Sequence, residues 1–501
     1  MRKLLYLLLV GICCSCDSDF LEEKTNPNAL SPGDFWKSEE DILKGLTAAY
    51  ASLQPSNGWA AATNCFIGWP NLRSDECDKR NDMASWIQLG DFNYESTNGL
   101  AGNCWSYRFT GIYRANQVLK GIEQVPDVEK EQKERYIAEA RFLRGFYYWD
   151  LYLNFGGMLP LWDKPVEKES EYYPDQATPE QILKFIREDF EYAQRHLPPQ
   201  YASKYAGRIT KGAADAMMGR YWLEFGEFAK AAVEFEKVIL SKQYRLVDRY
   251  GDLFDGDHPN NSESILEVQF SGDRTNGQSE YHDITRHLAS FDGGGYQEAY
   301  PTQWLYQLML KDTTVKGEYG DRILATIEFP GGVAFYKGET YPYEEVHGED
   351  SKAVYWKKFV TWSPSQSDRW TRSAFHMPLI RYADVLLMYA EALNEVSGPS
   401  QAVFDCINAV RARARVPRIP QDWKQEKVRE HIRHVERPCE LALEGKRWYD
   451  LIRWNIVGET LKAHRKPGAE NFIETKHQVF GIPSEEFRLN PSWKQNPGYG
   501  K

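Results

Sequence analysis

Two sets of residues in this chain have the types and spacing to do chemistry. The first lies in residues 73–86 and comprises Asp75, Glu76, Arg80, Asn81, Asp82 and Trp86. A flat ring beside a carboxylate, a guanidinium and an amide suits a sugar. The aromatic face covers the apolar C–H side of a pyranose, and the polar groups take paired hydroxyls. By its place in Ser74-Asp75-Glu76, Asp75 has a better claim than Glu76. The second set is Arg437, Glu440, Glu444 and Arg447, whose i, i+3 and i+4 spacing brings opposite charges onto one helix face. Two such carboxylates invite an acid–base pair. Each has an Arg within helical reach, however, and that pairing lowers a carboxylate pKa, the wrong direction for a general acid. The spacing predicts a structural ion-pair network and no catalytic residue.

Further stacking candidates follow along the chain. Phe291-Asp292-Gly293-Gly294-Gly295-Tyr296 combines glycines that let backbone approach a ligand with a ring, Tyr296, that can stack on it. Trp362 and Trp370 flank the Ser-rich stretch 363–367. Trp304 falls in a helix after Pro301-Thr302 and reads as a core residue, and Trp356 as structural. The ligand set is therefore Asp75, Arg80, Asn81, Trp86, Tyr296 and Trp362. The ten histidines are scattered, and neither they nor the cysteines show metal-ligand spacing, so no metal and no cofactor are expected. The glycine runs lack a following Lys-Ser/Thr, which argues against a phosphate cradle.

The N-terminus carries a different chemistry. Arg2 and Lys3 precede an apolar run, residues 4–12, too short to span a bilayer and of signal-peptide length. It ends in Cys13-Cys14-Ser15-Cys16, which resembles a lipobox. Cys16 is the expected lipidation site, with Cys14 the less favoured alternative, and acyl chains would tie the exported body to a membrane. Five cysteines remain after Cys16, an odd number that leaves at least one unpaired. The net charge of −11, with no basic run, excludes nucleic acid as a partner and disfavours anionic small molecules.

The elements that must position these residues are mostly helical. Period-3.6 patterning predicts helices over residues 34–54, 105–124, 130–155 (strongly amphipathic), 178–196, 377–396 and 400–415, with two more in 425–454. Residues 211–225 and 227–241 form a helix pair with Gly226 in the turn. Small residues at Gly219, Ala231 and Ala232 give this pair the look of a tetratricopeptide unit. Residues 65–101 lose the period, as do 244–375, where 265–270 is the clearest strand. The expected organisation is a signal peptide (1–15), a tether (16–33), an N-terminal helical part (34–243), an irregular subdomain (244–375) and a C-terminal helical part (376–501). The fold class is mainly α, a tetratricopeptide-like helical-hairpin core with a loop-rich subdomain and few short strands.

Five segments, in order, resemble the SusD/RagB family of Bacteroidetes surface glycan-binding lipoproteins: CDSDFLEEKTNPN (16–28), AEARFLRGFYYWDLYLNFGGMLPL (138–161), RYADVLLMYAEALNE (381–395), HVERPCELALEGKRWYDLIRW (434–454) and FGIPSEEFRLNPSWKQNPGYG (480–500). The resemblance implies a surface-exposed outer-membrane lipoprotein without catalytic activity. Such a protein binds oligosaccharide and caps a SusC-like TonB-dependent transporter. It implies that the tetratricopeptide side faces the transporter and the irregular face holds the sugar. It also implies that the 73–86 loop supplies an acidic residue, an Arg and a Trp to the glycan site. Asp17 and Asp19 fit a short acidic surface-export signal. Two other classes compete: a surface glycoside hydrolase using paired carboxylates, and a tetratricopeptide-type peptide-binding adaptor.

Overall fold

The computed structural model describes residues 35–54, 69–272, 280–336, 339–360, 367–369 and 372–501. Cys16, the signal segment, Cys65, Trp362 and Trp370 lie outside these residues.

The body is a run of helices in which each packs on the next: α1 (Glu39–Tyr50), α2 (Gly99–Gly121), α3 (Lys130–Phe155), α4 (Pro179–His196), α5 (Lys211–Glu224), α6 (Phe228–Leu240), α7 (Tyr382–Ser397) and α8 (Gln401–Arg413). Local sequence sets their starts. Ser38 and Thr178 form capping boxes with Asp41 and Gln181, and Pro179 occupies the first turn of α4. Thr210 and Ser400 cap α5 and α8. The α5–α6 turn runs through Gly226 at φ +70°. These two helices meet at Gly219, where an added Cβ would sit 2.5 Å from the Phe235 ring. A small residue is therefore what allows this crossing. α6 packs directly on α7, so the intervening residues leave the helical stack and return to it.

Two sequence expectations are corrected. Met377–Arg381 is a strand paired antiparallel with Ser264–Val268, and the helix begins only at Tyr382. α3 is amphipathic only in its first half, since every residue from 142 to 151 is buried. Its interior charges need partners at that depth. Arg144 donates to both Asp189 oxygens at 2.8 and 2.9 Å, and Asp150 accepts from Arg108 at 2.6 Å.

Between α6 and α7 the chain makes short two-stranded pieces: Ile327–Glu328 with Tyr355–Trp356, and Val333–Tyr336 with Glu339–Pro342. The fold is mainly α, with few and short strands. No helix among the described residues is long and apolar enough to cross a membrane.

Buried charge fastens the irregular part to the helices. Arg381 donates to Glu444 at 2.8 and 2.7 Å, to Glu263 at 2.5 Å and to Glu440 at 3.1 Å. Arg413 reaches Glu263 at 2.7 Å and also pairs with Glu440, and Lys358 donates to Glu444 at 2.6 Å. A network does form around Glu440 and Glu444, but not between neighbours on one helix. The chain leaves helical geometry at Ala442, so the partners come from other elements. Burial would raise the Glu444 carboxyl, but Arg381 and Lys358 hold it down at about 2, while burial pushes Glu440 up. Both side chains are enclosed and out of reach of any substrate.

Candidate functional site

Residues 73–86 and 280–310 are far apart in the chain and joined in space. Cys77–Lys79 pairs antiparallel with Ala299–Pro301, with Asp78 opposite Tyr300. The pairing continues beyond both strand ends: the Arg80 amide donates to the Glu298 carbonyl, and the Thr302 amide to the Glu76 carbonyl, each at 2.9 Å. Arg80 then reaches across. Its guanidinium donates to the Tyr296 carbonyl and to Asp82, and lies 4.8 Å from the centre of the Phe291 ring, which is 55% exposed.

This clasp forms one wall of an open cleft of about 800 Å³. Asp78, Arg80, Asn81, Gln297 and Tyr300 line that wall. Thr302 caps the short helix Gln303–Leu310, which sends Gln303, Trp304 and Gln307 into the cleft floor. The far wall comes from Ala463, the last residue of the helix Val457–Ala463, and from His464, Arg465 and Pro467 after it. There the His464 ring stacks on Trp304 with centroids 3.9 Å apart and planes 11° from parallel. The result is a flat aromatic ledge with amides and a guanidinium at its rim. Such a surface suits apolar ring faces and hydroxyl pairs.

The ledge is held from below. Asp75 is fully buried and accepts from Arg447 Nε and Nη2 at 2.8 Å each, and from His464 Nδ1 at 2.6 Å. Burial would raise the Asp75 carboxyl, but Arg447 and then His464 hold it well below the usual carboxylate range. The same guanidinium lies 5.2 Å from the Trp304 ring centre. A second buried clamp fixes the other loop: His287 lies between Glu298 and Asp283, the latter at 3.2 Å. Burial would lower the His287 pKa, and hydrogen bonds to Asp283 and Glu298 raise it instead, to about 9.

The structure thus divides the sequence-derived residues. Arg80 and Asn81 line the cleft. Tyr296 is half-buried beside it, with the Arg286 guanidinium 4.3 Å from its ring centre. Asp75 and Trp86 present no open face. Asp75 spends its oxygens on Arg447 and His464, and Trp86, 3% exposed, packs against His287. The glycine run serves its own turn, since a Cβ on Gly295 would collide with the Ala289 carbonyl. Trp304, expected in the core, has one side on the core and stacks on His464 in the cleft. Sequence reading missed His464, Arg465 and the glutamines of the floor. The one local signal was Pro301-Thr302, which starts the helix carrying Trp304.

Cys77, Cys104, Cys406 and Cys439 are buried. Among the described residues, Asp252, Asp255 and His258 can bring three donor atoms within 4.8 Å, as a metal site would need. That group lies away from the cleft lining, and Asp252 and His258 are already bonded to Arg249 and Asp255.

Fold and site together define a helical-hairpin scaffold bearing a loop-built, open, polar and aromatic cleft. The family profile described as "SusD family" matches residues 262–499, and one described as "Starch-binding associating with outer membrane" matches residues 19–223. A SusD-like protein of Formosa agariphila is 27% identical over 99% of both chains. A SusD superfamily protein from Bacteroides vulgatus superposes with a TM-score of 0.81 at 26% identity, covering 93% of this chain and all of that one. A structure titled "Laminarin binding SusD-like protein" superposes with a TM-score of 0.74, also at 26% identity, with the same coverage. The chain belongs to the SusD family.

Proposed function

We propose that this protein captures oligosaccharide at the bacterial surface and passes it to a SusC-like TonB-dependent transporter, without cleaving it. The observation that carries the reading is the open cleft, where the Trp304–His464 stack lies among Arg80, Asn81, Gln297, Gln303 and Gln307. A stacking ledge ringed by amides is a carbohydrate surface. The laminarin-binding relative and the starch-binding family description support the same ligand class. A lipid on Cys16 would supply the association with the outer membrane that the description names. The helical stack α1–α8 is the face proposed to meet the transporter.

Hydrolysis needs two carboxylates flanking the bond. Among the described residues lining the cleft, Asp78 is the only one. No observation favours a peptide ligand. Probing a glycan array and a peptide array with the chain lacking its first 16 residues tests the reading. Glycan signals without new reducing ends are expected. Peptide binding with no glycan signal, or the release of reducing ends, would overturn it.

A further inference from the structure

Whole-chain charge argues against an acidic ligand, yet the cleft reverses that balance. Its lining holds two arginines, Arg80 and Arg465, against one carboxylate, Asp78. That carboxylate is neutralised from behind, with the Lys79 and Lys466 ammonium groups each 3.6 Å away. Both lysines are buried, and Lys466 Nζ has no hydrogen-bond partner among the described residues. The other acids near the lining are also spoken for: Asp75 by Arg447 and His464, Asp82 by Arg80, Asp91 by Lys79, and Glu298 by His287. Arg465 is the cation left over. It is exposed on the cleft wall, one residue from the Trp304–His464 ledge, and no carboxylate of the described residues pairs with it.

We infer that Arg465 is an anion-docking residue and that the cleft selects saccharides carrying a carboxylate or sulfate group over neutral ones. A guanidinium offers paired N–H donors that match a uronate carboxylate or a sulfate ester. A sugar ring lying on the Trp304–His464 ledge brings its substituents towards that rim. Asp78 does not oppose this, because Lys79 and Lys466 together balance Asp78 and Asp91. The inference rests on the glycan-capture reading and deepens it.

The test is a glycan array of neutral, uronate-bearing and sulfated oligosaccharides. The best binder is then titrated against wild type and Arg465→Gln at low and high salt. Acidic saccharides should dominate the array, with the uronate and sulfate arms showing which group is read. Arg465→Gln should weaken the acidic ligand about tenfold, the scale of one charge-assisted hydrogen bond. Neutral sugars should bind the variant as they bind wild type, and added salt should reproduce much of the loss. Arg465 is exposed, and an unchanged melting curve would show that the variant folds. Neutral saccharides as the only binders, or an Arg465→Gln variant that holds the acidic ligand as tightly as wild type, would overturn the inference and leave glycan capture standing. Failure of every saccharide to bind would remove the glycan-capture reading and this inference with it.

Discussion

Replacing Asp75 with Asn separates a structural role from a ligand-contacting one. The side chain keeps its shape and loses its charge. Arg447 is 1% exposed and gives two 2.8 Å hydrogen bonds to Asp75, and its remaining contact of this kind is the Arg433 carbonyl at 2.6 Å. Leaving a buried charge without its counter-ion costs about 3–5 kcal/mol. Thermal and urea unfolding should therefore show a large loss of stability. The pH dependence has a definite sign. Because the folded Asp75 carboxyl is held below its unfolded value, its contribution is present above about pH 4 and is lost as pH falls through the depressed folded value. The acid limb of the stability curve should thus be shallower in Asp75→Asn than in wild type. Glycan affinity should fall as well, because His464 loses the anchor that sets its ring against Trp304. One pattern refutes this reasoning: wild-type stability and acid limb combined with a tenfold weaker glycan. That would put Asp75 at the ligand, where its place in residues 73–86 first suggested.

Three further substitutions test the site. Trp304→Ala removes one ring of the stacked pair and should lower glycan affinity by about 1 kcal/mol or slightly more, with a modest change in melting. Titration calorimetry showing unchanged affinity would take Trp304 out of the site. Trp86→Ala empties an enclosed position and should destabilise by about 3–5 kcal/mol in urea unfolding. A variant as stable as wild type but weaker for glycan would mean that this ring faces ligand. His287 has a folded pKa raised to about 9, so its contribution is complete below its unfolded value near pH 6.5 and drains away as pH rises through 9. Melting midpoints between pH 6 and 10 should show that decline in wild type and lose it in His287→Gln.

What the sequence revealed follows the range of the forces involved. Caps and periodicity act within a few residues, so α4, with Thr178, Pro179 and Gln181 at its start, was legible to within a residue. Met377–Arg381 was misread because its apolar residues run straight into those of α7. Only the strand Ser264–Val268, more than a hundred positions away, makes it a strand. The family motifs made the architecture recognisable. The cleft was half legible. Both loops were picked out by composition, but which rings face outward depends on what packs behind them. Trp86 and Trp304 look alike as letters, but Trp86 is buried against His287 while Trp304 stays partly exposed beside His464. The wall at 463–467 had no local signal, because its role exists only where the chain returns to Asp75.

The two segments that make the near wall of the cleft are buttoned by backbone bonds over three residue pairs, Cys77–Lys79 against Ala299–Pro301. Main-chain bonds are indifferent to the side chains they carry. Substitutions at Asn81, Gln297 or the tips beyond can therefore accumulate while this pairing stays in register. The mouth of the molecule can thus be redrawn, residue by residue, without refolding its frame.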